Sequence, residues 1–393
     1  MRPLQITASA MVNALGHGKK ATCDALAGMR SGLTLADNED IQFPTYLGMV
    51  EGLDNSPLQP DWSKFDCRNN RLARQGLDTD TFKESVFDAC ERYGDHRVGI
   101  FLGTSTSGIA ATESAYKRKD SESGQLPASF DYLNTHNLQS LENFCRQYLG
   151  ITGAGLTIST ACSSSSKVFA AASRYIEASV CDAAVVGGVD SLCLTTLYGF
   201  HSLQLVSTAP CRPWDKDRNG ITIGEAAGFA LLEKSEDKDG VFLKGYGESS
   251  DAYHMSTPHP EGAGACLAIS DALGRAGLSA DDIGYVNLHG TGTKSNDDAE
   301  DKAIIKMLGT ATPCSSTKGW TGHTLGAAGI TEALISLLVL ENNFLPANLN
   351  AANKDDTLSA NILFANRNKA VSDVLSNSFG FGGSNCCLVF GRL

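Results

Sequence analysis

At 393 residues, with 42% hydrophobic and 19% charged, the chain has ordinary globular composition and the length for two domains or two intimately packed halves. A net charge of −12 disfavours nucleic acid as a partner, because neutralising phosphates takes clustered basic residues. The apolar run Ala333 to Leu340 is too short to span a bilayer, Met1 to Gln5 lacks the apolar core of a secretory signal, and none of the 12 cysteines pairs as Cys-x-x-Cys; reduced thiols, no metal site and a cytoplasmic address are expected.

Leu4 to Val12 reads as a strand, followed by Gly16-His17-Gly18 and a helical stretch through Leu26 that ends near Gly28 or Gly32. Ile41 to Asp66 is rich in turn formers, including Pro44, Pro57 and Pro60. Arg68, Arg71 and Arg74 then recur at helical spacing and share one face, and Leu77 to Tyr93 has the pattern of an amphipathic helix. A strand from Arg97 to Leu102 runs into Gly103-Thr104-Ser105-Thr106-Ser107-Gly108, a hydroxyl-rich run that suits a pocket floor or a phosphate cradle. It lacks the Gly-Lys-Ser/Thr ending of a P-loop, so nucleotide binding is not expected. A second basic cluster, Lys117-Arg118-Lys119, follows. For both clusters a solvated helix face is the alternative to a docking surface.

Leu156 to Thr160 alternates as a short strand and Lys167 to Ile176 reads as a helix, which puts Cys162 on the strand-to-helix turn Thr160-Ala161-Cys162-Ser163-Ser164-Ser165-Ser166. Unpaired N–H groups and the positive end of the helix dipole favour thiolate there, and small neighbours leave the sulfur open. A small buried apolar cysteine is the other reading of the same residues. Further on, Ala183 to Val186 reads as a buried strand ended by a Gly187-Gly188 turn. The segment Arg212-Pro213-Trp214-Asp215 and Gly220 to Glu225 leads into a strand from Ala226 to Leu232. The charged stretch Glu233 to Gly240 marks the junction, giving halves 1–235 and 236–393.

The second half repeats the alternation: strand Val241 to Tyr246, helix Gly262 to Ala276, strand Ile283 to Leu288, helix Asp298 to Leu308, strand Cys314 to Thr317, helix Gly326 to Leu340, and a strand-turn-strand from Ala370 to Phe390 containing the packing pair Cys386-Cys387. Such alternation predicts an α/β fold with mostly parallel buried sheets, whose functional loops gather at strand carboxyl ends. Three loops meet that description. They carry Cys162; His289 in His289-Gly290-Thr291-Gly292-Thr293; and Lys318 with His323 ahead of a glycine-rich helix start containing Glu332. A thiol, two imidazoles and an ammonium group form a nucleophile and electrophile set.

The stretches Thr160 to Ser164, Arg212 to Asp215 with Gly224-Glu225, Asp251-Ala252-Tyr253-His254, His289 to Thr293 with Asp297 and Glu300, Lys318 to Glu332, and Asn377 to Gly383 occur in one order along nearly the whole chain. In them the sequence resembles the β-ketoacyl-acyl-carrier-protein synthases of the thiolase superfamily. The resemblance implies a five-layer αβαβα fold from two pseudo-symmetric halves, with Cys162 as the acyl-accepting nucleophile. It implies that His289 and His323 are neutral donors to a malonyl thioester, that the N–H groups of Cys162 and Phe381 form an oxyanion hole, and that Phe381 is the gate. Lys318 and Glu332 become a supporting pair, or a plain structural ion pair. Asp297 and Glu300 brace the His289 loop, and Thr291 and Thr293 hold pantetheine. No tightly bound cofactor is implied, since phosphopantetheine arrives on an acyl carrier protein. Arg68, Arg71 and Arg74 with Lys117, Arg118 and Lys119 fall near the family's carrier-docking regions.

The chain departs from the family pattern at Thr106, in place of an apolar or glycine residue lining the acyl tunnel, and at Ile221, in place of a phenylalanine. A polar, reshaped tunnel suits unsaturated or polyketide-like chains, and the sequence is similar to the aryl-polyene branch. That branch would allow either a homodimer or a heterodimer with a synthase-like chain-length factor. Two other members of the fold, a biosynthetic thiolase and a silent chain-length factor, compete with this reading. The paired histidines argue against the first and the intact Cys162 against the second. A cysteine protease would need an orienting Asn or Asp, and none is placed beside either histidine.

Overall fold

The computed structural model describes residues 1–235, 237 and 239–393. The expected junction after residue 235 falls at Glu236, which with Lys238 lies outside the described residues. In the first half the main strands are β1 (Leu4–Asn13), β2 (Val98–Gly103), β3 (Gly155–Ile158), β4 (Ala183–Asp190) and β5 (Ala226–Glu233). In the second they are β6 (Phe242–Ser250), β7 (Ile283–Asn287), β8 (Pro313–Ser315), β9 (Asp373–Gly380) and β10 (Ser384–Gly391). The sheet order is β3-β2-β4-β5-β1 in the first half and β8-β7-β9-β10-β6 in the second, so the same strand order occurs twice. In each half the second strand lies parallel to the third and fourth, and the fifth returns antiparallel. The two sheets meet where Leu4 and Gln5 of β1 pair with Leu243 and Phe242 of β6.

Helices complete the layers. They are α1 (Lys19–Ala27), α2 (Arg68–Leu77), α3 (Phe82–Tyr93), α4 (Ile109–Lys117), α5 (Gln139–Leu149), α6 (Ser164–Glu177), α7 (Leu194–Ser202), α8 (Ala263–Ala276), α9 (Lys294–Leu308), α10 (Lys318–Thr321) and α11 (Ala328–Asn342). Because side chains alternate across a strand, each buried strand feeds two cores. Phe101 enters the central core with Phe169 of α6 and Ile330 and Leu334 of α11, while its neighbours Ile100 and Leu102 enter an outer core with Leu72, Val86 and Phe144. On the other sheet Cys386 faces the centre, whereas Cys387 faces Ile269 of α8 and Ile304 of α9. Two sheets sandwiching α6 and α11, with helices outside both, make the five-layer αβαβα arrangement.

Helix α11 sits between both sheets and is buried from Ala328 to Leu340, with residues that are apolar on every side apart from Thr331, Glu332 and Ser336. Together with the preceding turn, Leu325–Asn342 is long and apolar enough to cross a membrane, against the expectation from its apolar run; 89% of it is buried inside the fold.

Several boundaries differ from the sequence-based expectation, for local reasons. The stretch Leu77 to Tyr93 is not one helix: Asp80 and Thr81 take φ of 55° and 54° and separate α2 from α3. Gly187 and Gly188 are not a turn but lie inside β4. A Cβ on Gly187 would stand 2.5 Å from the Phe229 ring, and one on Gly188 2.5 Å from Ser165 Cβ, so both glycines admit close neighbours. His17 pairs with Val12 in a short hairpin strand. All 12 cysteines are free.

Candidate active site

Cys162 lies on the turn between β3 and α6, two residues ahead of the helix, where Ala161 adopts a left-handed φ of 52°. That conformation costs about 1–2 kcal/mol for a residue with a Cβ. Gly380, at the end of β9, packs against this turn so closely that a Cβ there would stand 2.8 Å from the Thr160 carbonyl oxygen. The backbone N–H of Phe381 is thereby brought onto the Cys162 sulfur.

His289 leaves the carboxyl end of β7. Its own N–H and that of Gly290 donate to the two oxygens of Glu300, each at 2.8 Å, and Asn377 Nδ2 donates to the same carboxylate at 3.0 Å. Asp297 accepts from Trp214 N–H at 3.0 Å and Gly292 N–H at 3.3 Å. Both carboxylates thus shape the loop's backbone and do not face the sulfur. Burial lifts Glu300 to about 7 and Asp297 to about 6 against those donors.

His323 follows α10 and is strapped to the first half. Its N–H donates to Thr222 O at 2.7 Å and its carbonyl accepts from Gly224 N–H at 3.0 Å. Gly224 has to be glycine, since a Cβ would sit 2.2 Å from Thr321 O. The Nε2 of His323 lies 3.1 Å from Cys162 Sγ, and the two imidazole rings meet edge to face at 5.4 Å. The sulfur and the ring nitrogens lie within 4.8 Å of one another, a spacing that a soft metal ion also accepts.

Hydrogen bonding assigns both tautomers. Leu325 N–H donates to His323 Nδ1 at 3.2 Å, and the Lys318 ammonium stands 3.3 Å from His289 Nδ1. With each Nδ1 occupied as an acceptor, each Nε2 carries the proton, and that of His323 faces the sulfur as a donor. Two N–H donors do not ligate a metal; they stabilise an oxygen that gains negative charge. Burial, then the charge of Lys318, holds both imidazoles well below the usual histidine range, so they stay neutral. Lys318 itself is buried, bonding to the carbonyl of His289 and to Glu332 Oε1, and burial raises Glu332 to about 7.

Burial also pushes the Cys162 thiol up to about 11, against lowering by Lys318 and the Phe381 N–H. The resting group is therefore the thiol, not the standing thiolate expected from the helix terminus. Desolvation of a residue only 5% exposed outweighs the nearby dipole and charge. Its proton leaves during acyl transfer.

These groups open on a cavity of about 590 Å³ counted out to its mouth, lined also by Thr291, Thr293, Ile221, Phe381, Phe200 and Leu205. The hydroxyls of Thr291 and Thr293 bond each other at 2.9 Å. Phe200 and Leu205, which come from and just beyond α7, were not legible in the sequence; the only signal was an aromatic-rich stretch after β4.

Two expectations fail. Thr106 does not line this cavity: its hydroxyl donates to Asp190 at 3.0 Å and accepts from Ser191 N–H at 3.2 Å. Nor do Arg68, Arg71 and Arg74 form a free basic face. Arg68 grips Glu225 through two nitrogens and also Asp54, Arg71 pairs with Asp66 at 2.6 Å, and Arg74 bonds Ser56. Their shared helix face looks onto the turn-rich segment before it, where Asp54 and Asp66 pair with Arg68 and Arg71 and Ser56 takes Arg74. In the second cluster Lys117 pairs with Asp40 at 2.7 Å and Arg118 Nε bonds Ser114 O at 3.2 Å, while Lys119 is exposed.

Comparison with known proteins agrees with this geometry. Residues 1–238 match the beta-ketoacyl synthase N-terminal domain and residues 241–352 the C-terminal domain. The chain is 31% identical to 3-oxoacyl-[acyl-carrier-protein] synthase 2 of Vibrio cholerae, over 100% of this chain and 99% of that one. Among solved structures it superposes at a TM-score of 0.92, with 39% identity, on a chain of the complex of the ketosynthase ApeO with its chain length factor ApeC from Xenorhabdus doucetiae, covering 100% of this chain and 98% of that one. A beta-ketoacyl synthase from Burkholderia phymatum superposes at 0.89 with 26% identity, covering 100% of both chains. The chain belongs to the beta-ketoacyl synthase family and is a ketosynthase-type acyltransferase.

Proposed function

We propose that this chain condenses an acyl group held on Cys162 with a malonyl group held on an acyl carrier protein, releasing carbon dioxide and a β-ketoacyl carrier. The observation that carries the reading is the gathering of two neutral imidazoles within 4.8 Å of one sulfur, with Nε2 of His323 3.1 Å from Cys162 Sγ. Acylation forms the Cys162 sulfur–carbonyl bond and breaks the carrier's thioester bond. The thiol proton ends on the departing pantetheine sulfur. In condensation the malonyl carboxylate leaves as carbon dioxide and the electron pair moves onto the thioester oxygen, held by His289 and His323. The enolate carbon attacks the acyl-Cys162 carbonyl, whose oxyanion is met by the N–H groups of Cys162 and Phe381. Collapse expels the Cys162 sulfur, which takes up one proton from solvent.

Lys318 keeps His289 neutral and oriented, Glu332 holds Lys318, and Thr291 with Thr293 flank the pantetheine arm on its way past the Phe381 gate. Ile221 is an acyl-chain contact, and the halves 1–235 and 236–393 contribute the nucleophile and the donors respectively. The likeness at 39% identity to a ketosynthase in complex with its chain length factor favours a heterodimer and a polyene- or polyketide-type chain over a fatty-acid homodimer. The complete set of Cys162, His289, His323 and Lys318 makes this chain the catalytic partner in such a pair.

The test is mass spectrometry of Cys162 after incubation with acyl and malonyl carrier proteins, with carbon dioxide release measured in parallel. Condensation without carbon dioxide would assign a thiolase instead. An unacylated Cys162 would assign a silent partner. Size measurement of the chain alone and with a synthase-like partner decides between homodimer and heterodimer.

A further inference from the structure

The hydroxyl-rich run after β2 is taken up by a carboxylate with no cation bonded to it among the described residues. Asp190, at the end of β4, is fully buried. It accepts from Thr104 Oγ1 at 2.7 Å, Ser105 N–H at 2.8 Å, the Ser105 hydroxyl, and Thr106 N–H and Oγ1, both at 3.0 Å. All of these lie in the first half. The sixth donor does not: Gly326 N–H, from the loop that carries His323, reaches Asp190 Oδ2 at 2.6 Å.

Gly326 directly follows Leu325, which is held at a φ of 55°, and Leu325 N–H is the group that donates to His323 Nδ1 at 3.2 Å. Left-handed backbone at a leucine costs about 1–2 kcal/mol, so something must hold it. The hold on its carboxyl side is the Gly326 to Asp190 bond. Space there is as tight as the bonding, since a Cβ on Gly326 would stand 2.7 Å from Ser105 N and 2.8 Å from Asp190 Oδ2.

We propose that Asp190 is a positioning residue for His323: by clamping Gly326 to the loop of Thr104, Ser105 and Thr106, it keeps Leu325 N–H on His323 Nδ1 and so keeps the Nε2 proton facing Cys162. Asp190 touches no reacting atom. It acts across the junction of the halves, through two residues of backbone. The inference rests on the condensing role given to His323, but its first readout does not.

The experiment uses the full chain carrying Asp190→Asn, with histidine ring nitrogens isotopically labelled and their NMR shifts read beside carrier-protein kinetics. The His323 signals are assigned by their loss in His323→Asn. An amide places one donor among six donors, so the Gly326 bond weakens and Leu325 N–H drifts from Nδ1. The expected result is a His323 Nδ1–H signal in place of Nε2–H, and a kcat for malonyl decarboxylation about 10²-fold lower, the scale of a misplaced group. KM for the malonyl carrier stays within about twofold.

An unchanged tautomer overturns the proposal whatever happens to activity, and so does a changed tautomer with unchanged kcat. Should Asp190→Asn fail to fold, Gly326→Ala leaves Asp190 intact and wedges the same contact open, with the same expected and overturning results. If the wild-type chain decarboxylates nothing while the tautomer still shifts, the condensing role fails and the positioning role stands.

Discussion

Glu300→Gln separates bracing from chemistry and has a magnitude set by the burial of one carboxyl. In the fold, burial lifts Glu300 to about 7, although the N–H groups of His289 and Gly290 and the Asn377 amide oppose the rise. In the unfolded chain it titrates near an ordinary glutamate, about 4.3. The folded state therefore holds the proton more tightly, and stability falls as pH rises from the unfolded value through about 7. Between about pH 5 and about pH 8 this one group removes about 2–3 kcal/mol, because each tenfold difference in proton affinity between the two states is worth about 1.4 kcal/mol. Glutamine cannot titrate, so that difference vanishes from the variant. The variant also loses one of two carboxylate oxygens beneath the loop, lowering stability at all pH values by about 1–3 kcal/mol. Denaturant unfolding of both proteins at the two pH values measures the slope. Equal pH dependence in wild type and Glu300→Gln would refute the assignment of a buried, proton-retaining carboxyl to this position.

Cys162→Ala is expected to abolish condensation while unfolding within about 1 kcal/mol of wild type, because it removes a small group beside an open cavity. His323→Ala is expected to lose malonyl decarboxylation by about 10²–10³-fold while Cys162 remains open to iodoacetamide; retention of decarboxylation would remove the donor role. Alkylation of Cys162, followed by mass spectrometry, should climb about tenfold per pH unit through the neutral range, as a thiol titrating at about 11 requires. A plateau near neutrality would restore the standing thiolate. Arg68→Ala should cost about 3–5 kcal/mol of stability by orphaning buried Glu225, with KM for carrier substrates unchanged; a selective rise in KM would return Arg68 to the docking surface.

What could be read from the sequence was whatever depends on neighbours along the chain. Cys162 and His289 each follow a strand end among small residues, His323 lies on the longer connection that follows β8, and strand ends are where parallel sheets expose groups. The regular alternation of β7, α9, β8 and α11 announces the layers. What was lost depends on partners far away. Gly187 and Gly188 look like a turn until Phe229 and Ser165 are found against them. Arg68, Arg71 and Arg74 look like a basic face until Glu225 and Asp66 are found beside two of them. Thr106 looks like a tunnel wall because the carboxylate that takes its hydroxyl, Asp190, is 84 residues further on. The thiolate is overestimated for the same reason: a helix terminus is local, whereas the desolvation that opposes it comes from the whole fold.

The repeated strand order explains why these particular loops meet. After the second strand come the Thr104 to Thr106 loop in one half and His289 in the other. After the third come Cys162 and the Lys318 to His323 loop, and near the end of the fourth come Asp190 and Phe381. Helices α6 and α11 follow the third strands and lie together in the central layer, close enough that a Cβ on Gly329 would meet Ser166 N at 2.6 Å. A twofold relation of that kind brings three loop pairs to one place, and the chain fills them asymmetrically. One half supplies the sulfur and a carboxylate that binds backbone; the other supplies two protonated nitrogens and an N–H. The straps at Thr222 to Gly224 and at Asp190 fix His323 to the half that bears the sulfur, so the reacting distance is set by bonds across the junction, and substitutions there should act on kcat before they act on binding.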